Sequence, residues 1–382
     1  MGINYSKVMY YLSRGNKYQF DIPVSEQCNF LRNHNNPKDD LWRSFYQYKA
    51  QMLFVSATKR IAFNLLSLFI LPIFFLLAIL RRLSIRYKYD VNAIIEKNTH
   101  SGVIPHSLNT KYRISSREWN AGWSLGIKDS LYILKLCQFI IRSPYFVFKI
   151  AYKVSLYSTM IKSYSPKAII VFNEYSFTSS ALTYYCENKK IKHINVMHGE
   201  KLFYIRDSYF RFSNTYVWEP YYIKLFISMN APENQFIAEL PPFMSIKPSE
   251  YLDIKYHSDY TYYLANFNEN DIKNIVASMA FAKSKGKTVM YRPHPRYSDI
   301  DLLRKYVDES YIEYPDSVNI MLSVAKTDCA VGLYTTVLNQ AFHAGKKVLI
   351  DDINFPYNYS KLKELSYSLL NKPIQKLSSY QK

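Results

Sequence analysis

Residues 328–350 read DCAVGLYTTVLNQAFHAGKKVLI, and the order of residue types in this stretch decides the fold. The run from Asp328 to Gly332 is short and apolar, as a buried strand requires. Thr336 to Ala344 carries the three- and four-residue apolar spacing of a helix, and Lys347 to Ile350 is a second short strand. Strand, helix, strand in so short a span implies parallel strands joined by a crossover. Thr335 and Thr336 fall where the first strand hands over to the helix. Hydroxyls and unpaired backbone donors at such a place can cap the helix, bind an anion, or do both.

Toward the N-terminus the alternation continues, with strand Tyr260 to Ala265, helix Asp271 to Lys285 and strand Thr288 to Tyr291. Helix Asp299 to Tyr306, a short strand Tyr311 to Glu313 and a helix around Val318 to Ala325 follow. Directly after the second of these strands, residues 292–296 read RPHPR. Pro293 and Pro295 cannot donate to a sheet and bias their predecessors toward extended geometry, so the strand must stop and hold His294 in a stiff turn. The guanidinium groups of Arg292 and Arg296 suit phosphate oxygens.

An earlier unit repeats the pattern: strand Ala168 to Phe172, loop Asn173 to Ser176, helix Thr178 to Glu187, strand Lys192 to Met197, then His198, Gly199 and Glu200. Glycine there allows a sharp turn or a close approach to a ligand. Pro241, Pro242 and Pro248 mark a linker, giving two expected domains, 1–245 and 246–382. Ligands of such sheets gather at the carboxyl ends of the strands.

Residues 61–80 read IAFNLLSLFILPIFFLLAIL, without a charge. As a helix the stretch is about 30 Å long, enough to cross a bilayer core. Basic residues flank both ends (Lys59, Arg60; Arg81, Arg82, Arg86), so no inside-outside asymmetry is visible. A buried core helix is the alternative, and a monotopic segment on anionic headgroups is the preferred reading. Helices are also expected over Ser124 to Ile141 and Tyr145 to Tyr164.

The chain of 382 residues carries 49 Lys plus Arg against 30 Asp plus Glu, a net charge of +19. Such a field seeks polyanions: nucleic acid, an anionic membrane or phosphorylated substrates. Cys28, Cys137, Cys186 and Cys329 lack the paired spacings of zinc or redox sites and are expected as reduced thiols. No secretory-signal pattern opens the sequence, and a cytoplasmic location is expected.

Taken together, RPHPR, GLYTT and the following helix with GKKVLIDD resemble bacterial glycosyltransferases of the GT-B architecture, most closely the CMP-sialic-acid-using sialyltransferases of surface polysaccharides. The resemblance is clearest over Ser165 to Asp352. It implies an α/β fold of two Rossmann-like domains facing a cleft, with a helical, partly membrane-associated N-terminal region. It also implies that His294-Pro295 and Thr335-Thr336 bind the donor's CMP, beside Arg292 and Arg296. In that family an acidic motif at a strand end carries the general base, and the matching place reads Asn173-Glu174-Tyr175. Glu174 is therefore the expected base, with Glu200 second. His198 is a further candidate, since His-Gly stands at a comparable position in polyol-phosphate transferases.

The implied activity is inverting transfer of sialic acid, with an α2,3 linkage expected, to a galactose-terminated lipid-linked O-antigen or capsule acceptor. The site would be at the cytoplasmic face of the bacterial inner membrane. No metal or other cofactor is expected, because the chain lacks a convincing DxD motif; Asp351-Asp352 reads as a loop feature. A polyol-phosphate or Kdo transferase is the nearest rival. A basic nucleic-acid-binding protein is the rival of another class, and it lacks a helix-turn-helix, zinc or RNP-type motif.

Overall fold

The computed structural model describes residues 13–96, 101–118 and 122–380. Two compact units emerge: residues 1–198 with 203–239, and residues 199–202 with 240–382. The short excursion 199–202 departs from a single crossing near 245. Its reason is local, because the Glu200 carboxylate accepts hydrogen bonds from Asn339 and Ser368 of the second unit.

In the first unit six strands form one sheet in the order β2-β1-β3-β4-β5-β6. They are β1 (Ala93–Glu96), β2 (Ile114–Arg117), β3 (Ala168–Val171), β4 (Lys192–Val196), β5 (Asn214–Val217) and β6 (Phe236–Ala238), and every pairing is parallel. β3 is buried along its whole length and reads as a continuous apolar run, as a strand covered on two faces does, and β4 is buried except at Lys192 although it carries His193 and Asn195.

The second unit holds β7 (Ser258–Tyr263), β8 (Val289–Arg292), β9 (Thr327–Gly332), β10 (Lys347–Ile350) and β11 (Gln375–Lys376), all parallel, in the order β11-β10-β9-β7-β8. Reading each sheet from its first strand, both follow the order 2-1-3-4-5 of doubly wound folds, with a switch point between the first and third strands. The α/β class with two Rossmann-like parallel sheets is as the sequence predicts.

Some boundaries differ. The expected helix Asp271 to Lys285 divides into Glu269–Ser278 and Ala280–Ser284 at Met279. Tyr311 to Glu313 is no full strand: a 3-10 turn, Glu309–Tyr311, leads into one isolated bridge between Ile312 and Tyr291.

Helices Val24–Asn33, Asp40–Met52 and Ala57–Arg81 make the N-terminal region of the first unit helical. The last contains the uncharged stretch, and the helical segment Ala57–Ser84 is long and apolar enough to cross a membrane by length and composition. Pro72 is accommodated inside it. Its buried residues, Ser67, Leu71, Phe74 and Ala78, form one stripe at three- and four-residue spacing. That stripe lies on helix Pro144–Tyr164, and Phe74 packs its ring on Trp123, Phe148 and Tyr152. Most of the rest is bare: Leu65, Phe69, Ile73, Leu76 and Leu80 are all exposed. The core-helix alternative is therefore overturned, since a core helix would be covered all round.

Candidate functional site

The carboxyl ends of β7, β8 and β9 are adjacent, because Tyr263 pairs with Arg292 and Tyr262 pairs with Val331. Around them lies a cavity of about 510 Å³ lined by Arg292, Pro293, His294 and Pro295 after β8, by Tyr334 to Val337 after β9, and by Tyr263 to Ala265 after β7. Gly332 permits this convergence: a Cβ there would stand 3.2 Å from the Tyr263 carbonyl oxygen, closer than such contacts tolerate without a shift. RPHPR and GLYTT, apart in sequence, thus share one wall system at the switch point.

His294 is held by its own turn. Its backbone N–H donates to Ser298 Oγ (2.8 Å), and Ser298 Oγ donates to the Ala265 carbonyl (2.7 Å). The Arg296 backbone N–H donates to His294 Nδ1 (3.1 Å), and the Tyr297 ring stacks on the imidazole at 4.5 Å. A neutral imidazole that accepts at Nδ1 carries its proton on Nε2, so Nε2–H is the group free to donate to a ligand. Burial, and then the Arg296 charge, hold the His294 pKa below the usual histidine value.

The two arginines do not act alike. Arg292 is buried and its guanidinium donates to the Glu313 carboxylate, which also accepts from the Tyr256 hydroxyl. Its charge is already compensated by that carboxylate, although the residue also lines the cavity. Arg296 is exposed and lies outside the cavity wall; its contributions are the backbone hydrogen bond and its field on His294. Thr335 Oγ1 caps the helix Thr336–His343 by accepting from the Val337 N–H (3.3 Å), and Thr336 is that helix's first residue. Glu200 also lines the cavity, with its carboxylate engaged by Asn339 and Ser368. Gly199 has no left-handed backbone, and a Cβ there would meet nothing, so neither sequence argument for a glycine applies within the chain.

In the first unit, Glu174 follows β3 and His198 follows β4, on adjacent strands. The Glu174 side chain is 1 % exposed and that of His198 45 % exposed, with Glu174 Oε1 4.0 Å from His198 Nδ1. Glu174 Oε2 accepts from Asn195 Nδ2 (3.1 Å), and its backbone carbonyl accepts from Gln47 Nε2 (2.8 Å). Phe172 meets the His198 ring edge-on. The expected base is therefore buried behind an imidazole that solvent reaches. Of the two side chains, only the His198 imidazole is open to solvent.

Sequence reasoning missed Glu313, Ser298, Asn195 and Gln47. Ser298 had a signal, since a hydroxyl four residues after His294 in a proline-stiffened turn is placed to bond back. Asp351 and Asp352 prove structural: Asp351 accepts from the Tyr262 hydroxyl and the Ile353 and Asn354 backbones, and Asp352 accepts from Ser378.

No family model matches the chain, and no curated protein matches it at the level of sequence. Among solved structures it is similar to the UDP-N-acetylglucosamine 2-epimerase from Rickettsia bellii, at 11% identity over 68% of this chain and 78% of that one, with a TM-score of 0.41. It is also similar to a variant of the wall teichoic acid polymerase TagF, at 12% identity over 77% and 82%, TM-score 0.42. The glycotransferase of kitacinnamycin matches at 9% identity over 77% and 87%, TM-score 0.43. A transferase, a polymerase and an epimerase thus stand among its structural neighbours.

Proposed function

We propose that the chain is a glycosyltransferase that takes sialic acid from CMP-sialic acid to a galactose-terminated, lipid-linked acceptor of a surface polysaccharide. The observation that carries this reading is the gathering of His294, Pro295, Thr335 and Thr336 around one cavity at the switch point of the second sheet. A phosphate there would meet the Nε2–H of His294 and the N-terminus of helix Thr336–His343, whose dipole favours negative charge. As the bond from the anomeric carbon to the CMP oxygen breaks, these donors stabilise the charge that develops on phosphate. His198 takes the proton of the attacking acceptor hydroxyl, and the Glu174 carboxylate stabilises the imidazolium formed. Attack opposite the leaving group inverts the anomeric configuration. Arg292, neutralised by Glu313, stiffens the strand end that presents His294.

Attachment to the cytoplasmic face of the inner membrane, as a monotopic protein, is part of the proposal. Helix Ala57–Arg81 is docked from Asn64, which accepts from the Tyr145 N–H, to Ala78, whose carbonyl accepts from the Leu125 N–H. A helix fixed along its length to an α/β unit supports lying on a membrane rather than crossing it. Exposed Ile127, Leu131 and Leu134 add a second apolar stripe on a neighbouring helix.

Polyol-phosphate transfer from a CDP-linked donor is the second reading. The exposed His198 favours it, because a histidine base followed by glycine is the feature shared with that family. Incubating the protein with CMP-, CDP- and UDP-linked donors and a galactose-terminated lipid acceptor tests both. Product from CMP-sialic acid alone supports the first reading, product from a CDP-linked polyol the second, and product only from UDP-sugars contradicts both.

A further inference from the structure

We infer a second binding site in the first unit, a pocket at the foot of the apolar helix that takes the phosphoryl group of a membrane lipid. The pocket encloses about 540 Å³ and is lined by Lys17, Lys59, Arg60 and Arg206 together with aromatic rings that include Tyr145 and Tyr204. No carboxylate among the described residues lines it. Among the described residues none lies within ion-pair distance of Lys17, Lys59 or Arg60; Arg206 has Asp207 at 3.5 Å. Cations gathered without acidic partners repel one another, an arrangement that an anion relieves.

Three features point to phosphate on a lipid. Lys59 and Arg60 stand in the first turn of helix Ala57–Arg81, where the backbone also favours an anion. Ile61, Leu65, Leu66 and Phe69 follow at once on the same helix and are exposed, so an apolar chain attached to a phosphate in the pocket has a surface to lie along. Arg206 is stacked over Tyr204 at 4.9 Å and Tyr175 at 5.5 Å, which fixes its planar guanidinium for contact with oxyanions.

The pocket is also tied to the reactive pair. Gln51, in its wall, donates through Nε2 to the carbonyl of Tyr175 (2.7 Å), the residue after Glu174, and Gln47 one turn earlier donates to the Glu174 carbonyl. The lipid phosphate thereby anchors an acceptor beside the loop that carries Glu174. Naming that lipid as the acceptor's carrier rests on the transferase reading; the pocket's chemistry does not.

The test is flotation of the full chain with phosphatidylcholine vesicles doped either with phosphatidic acid, which presents a terminal phosphate, or with phosphatidylglycerol at matched charge. The wild type is expected to prefer phosphatidic acid. The Lys59→Gln/Arg60→Gln variant should lose that preference by at least about tenfold, the lower range for a lost charge-assisted contact. Lys17→Gln, at an exposed lysine outside any helix, provides the same reading with the least demand on folding. An unchanged preference in both variants overturns the pocket. Inorganic pyrophosphate that binds as tightly as the doped vesicles overturns the lipid part. In the same variants CMP affinity should be unchanged; failure of CMP to bind the wild type would sink the transferase reading while leaving the flotation result to stand by itself.

Discussion

His198 Nδ1 stands 4.0 Å from Glu174 Oε1, with the imidazole exposed and the carboxylate buried. That geometry assigns different kinetic signatures to the two residues. In the proposed mechanism His198→Ala removes the proton acceptor and should lower kcat by about 10²- to 10⁴-fold. Glu174→Gln keeps the shape but loses the charge that orients and stabilises the imidazolium, and should also lower kcat with little change in donor affinity. The pH profile separates them: His198→Ala should lose the acidic limb, whereas in Glu174→Gln that limb should move toward lower pH, because the imidazolium has lost its neighbouring anion. Rates over a pH series for both variants check this.

The pair Arg292 and Glu313 should behave as structure. Glu313→Ala leaves a buried guanidinium without its counter-charge and should destabilise the protein by about 3 to 5 kcal/mol, read as a fall in Tm. A double replacement by apolar residues of similar volume should recover much of that loss. A merely local phosphate ligand would instead weaken donor binding and leave Tm unchanged.

His193 supplies a pH signature of stability. It is fully buried, hydrogen-bonded to Tyr157 and Thr183, and burial pushes its pKa down to about 3. The unfolded chain binds this proton near the ordinary histidine value of about 6.5 and the folded chain does not. Its contribution is therefore fully present above about 6.5 and is lost as pH falls from there toward about 3, at up to about 1.4 kcal/mol per pH unit. His193→Gln should flatten the dependence of Tm on pH in that window. An equally steep dependence in the variant would place the acid sensitivity elsewhere.

The apolar helix should separate binding from folding by face. Phe69→Asn and Ile73→Asn alter exposed residues and should weaken vesicle binding by about 1 to 2 kcal/mol each while Tm stays put. Leu71→Asn, on the buried stripe, should lower Tm. Flotation and thermal melts on the three variants check the pattern.

What was legible in the sequence follows the physics of short range. Lys347–Ile350 and the strand–helix–strand order around it are written in local apolar periodicity, and β10 occupies the predicted residues. The cavity of the second unit was legible because both of its motifs sit at strand ends, where a parallel sheet sends its ligands. The burial of Glu174 was not. It depends on Gln47, far away in sequence, and on Asn195 from the neighbouring strand, which no local pattern encodes. Likewise Arg292 looks the same in sequence whether it faces a ligand or Glu313; only the bridge of Ile312 to Tyr291 brings that carboxylate to it.

If His294 and the threonine helix end form a cytidine-nucleotide site, titration calorimetry will show it. CMP should bind the wild type more tightly than UMP or AMP. His294→Ala and the Thr335→Ala/Thr336→Ala variant should each weaken CMP by roughly ten- to a hundredfold, as expected for lost charge-assisted contacts. Binding should also strengthen as pH falls toward the lowered His294 pKa, since protonation adds a positive charge facing phosphate. CMP binding that is absent in the wild type, or unchanged in well-folded His294→Ala, would contradict the account.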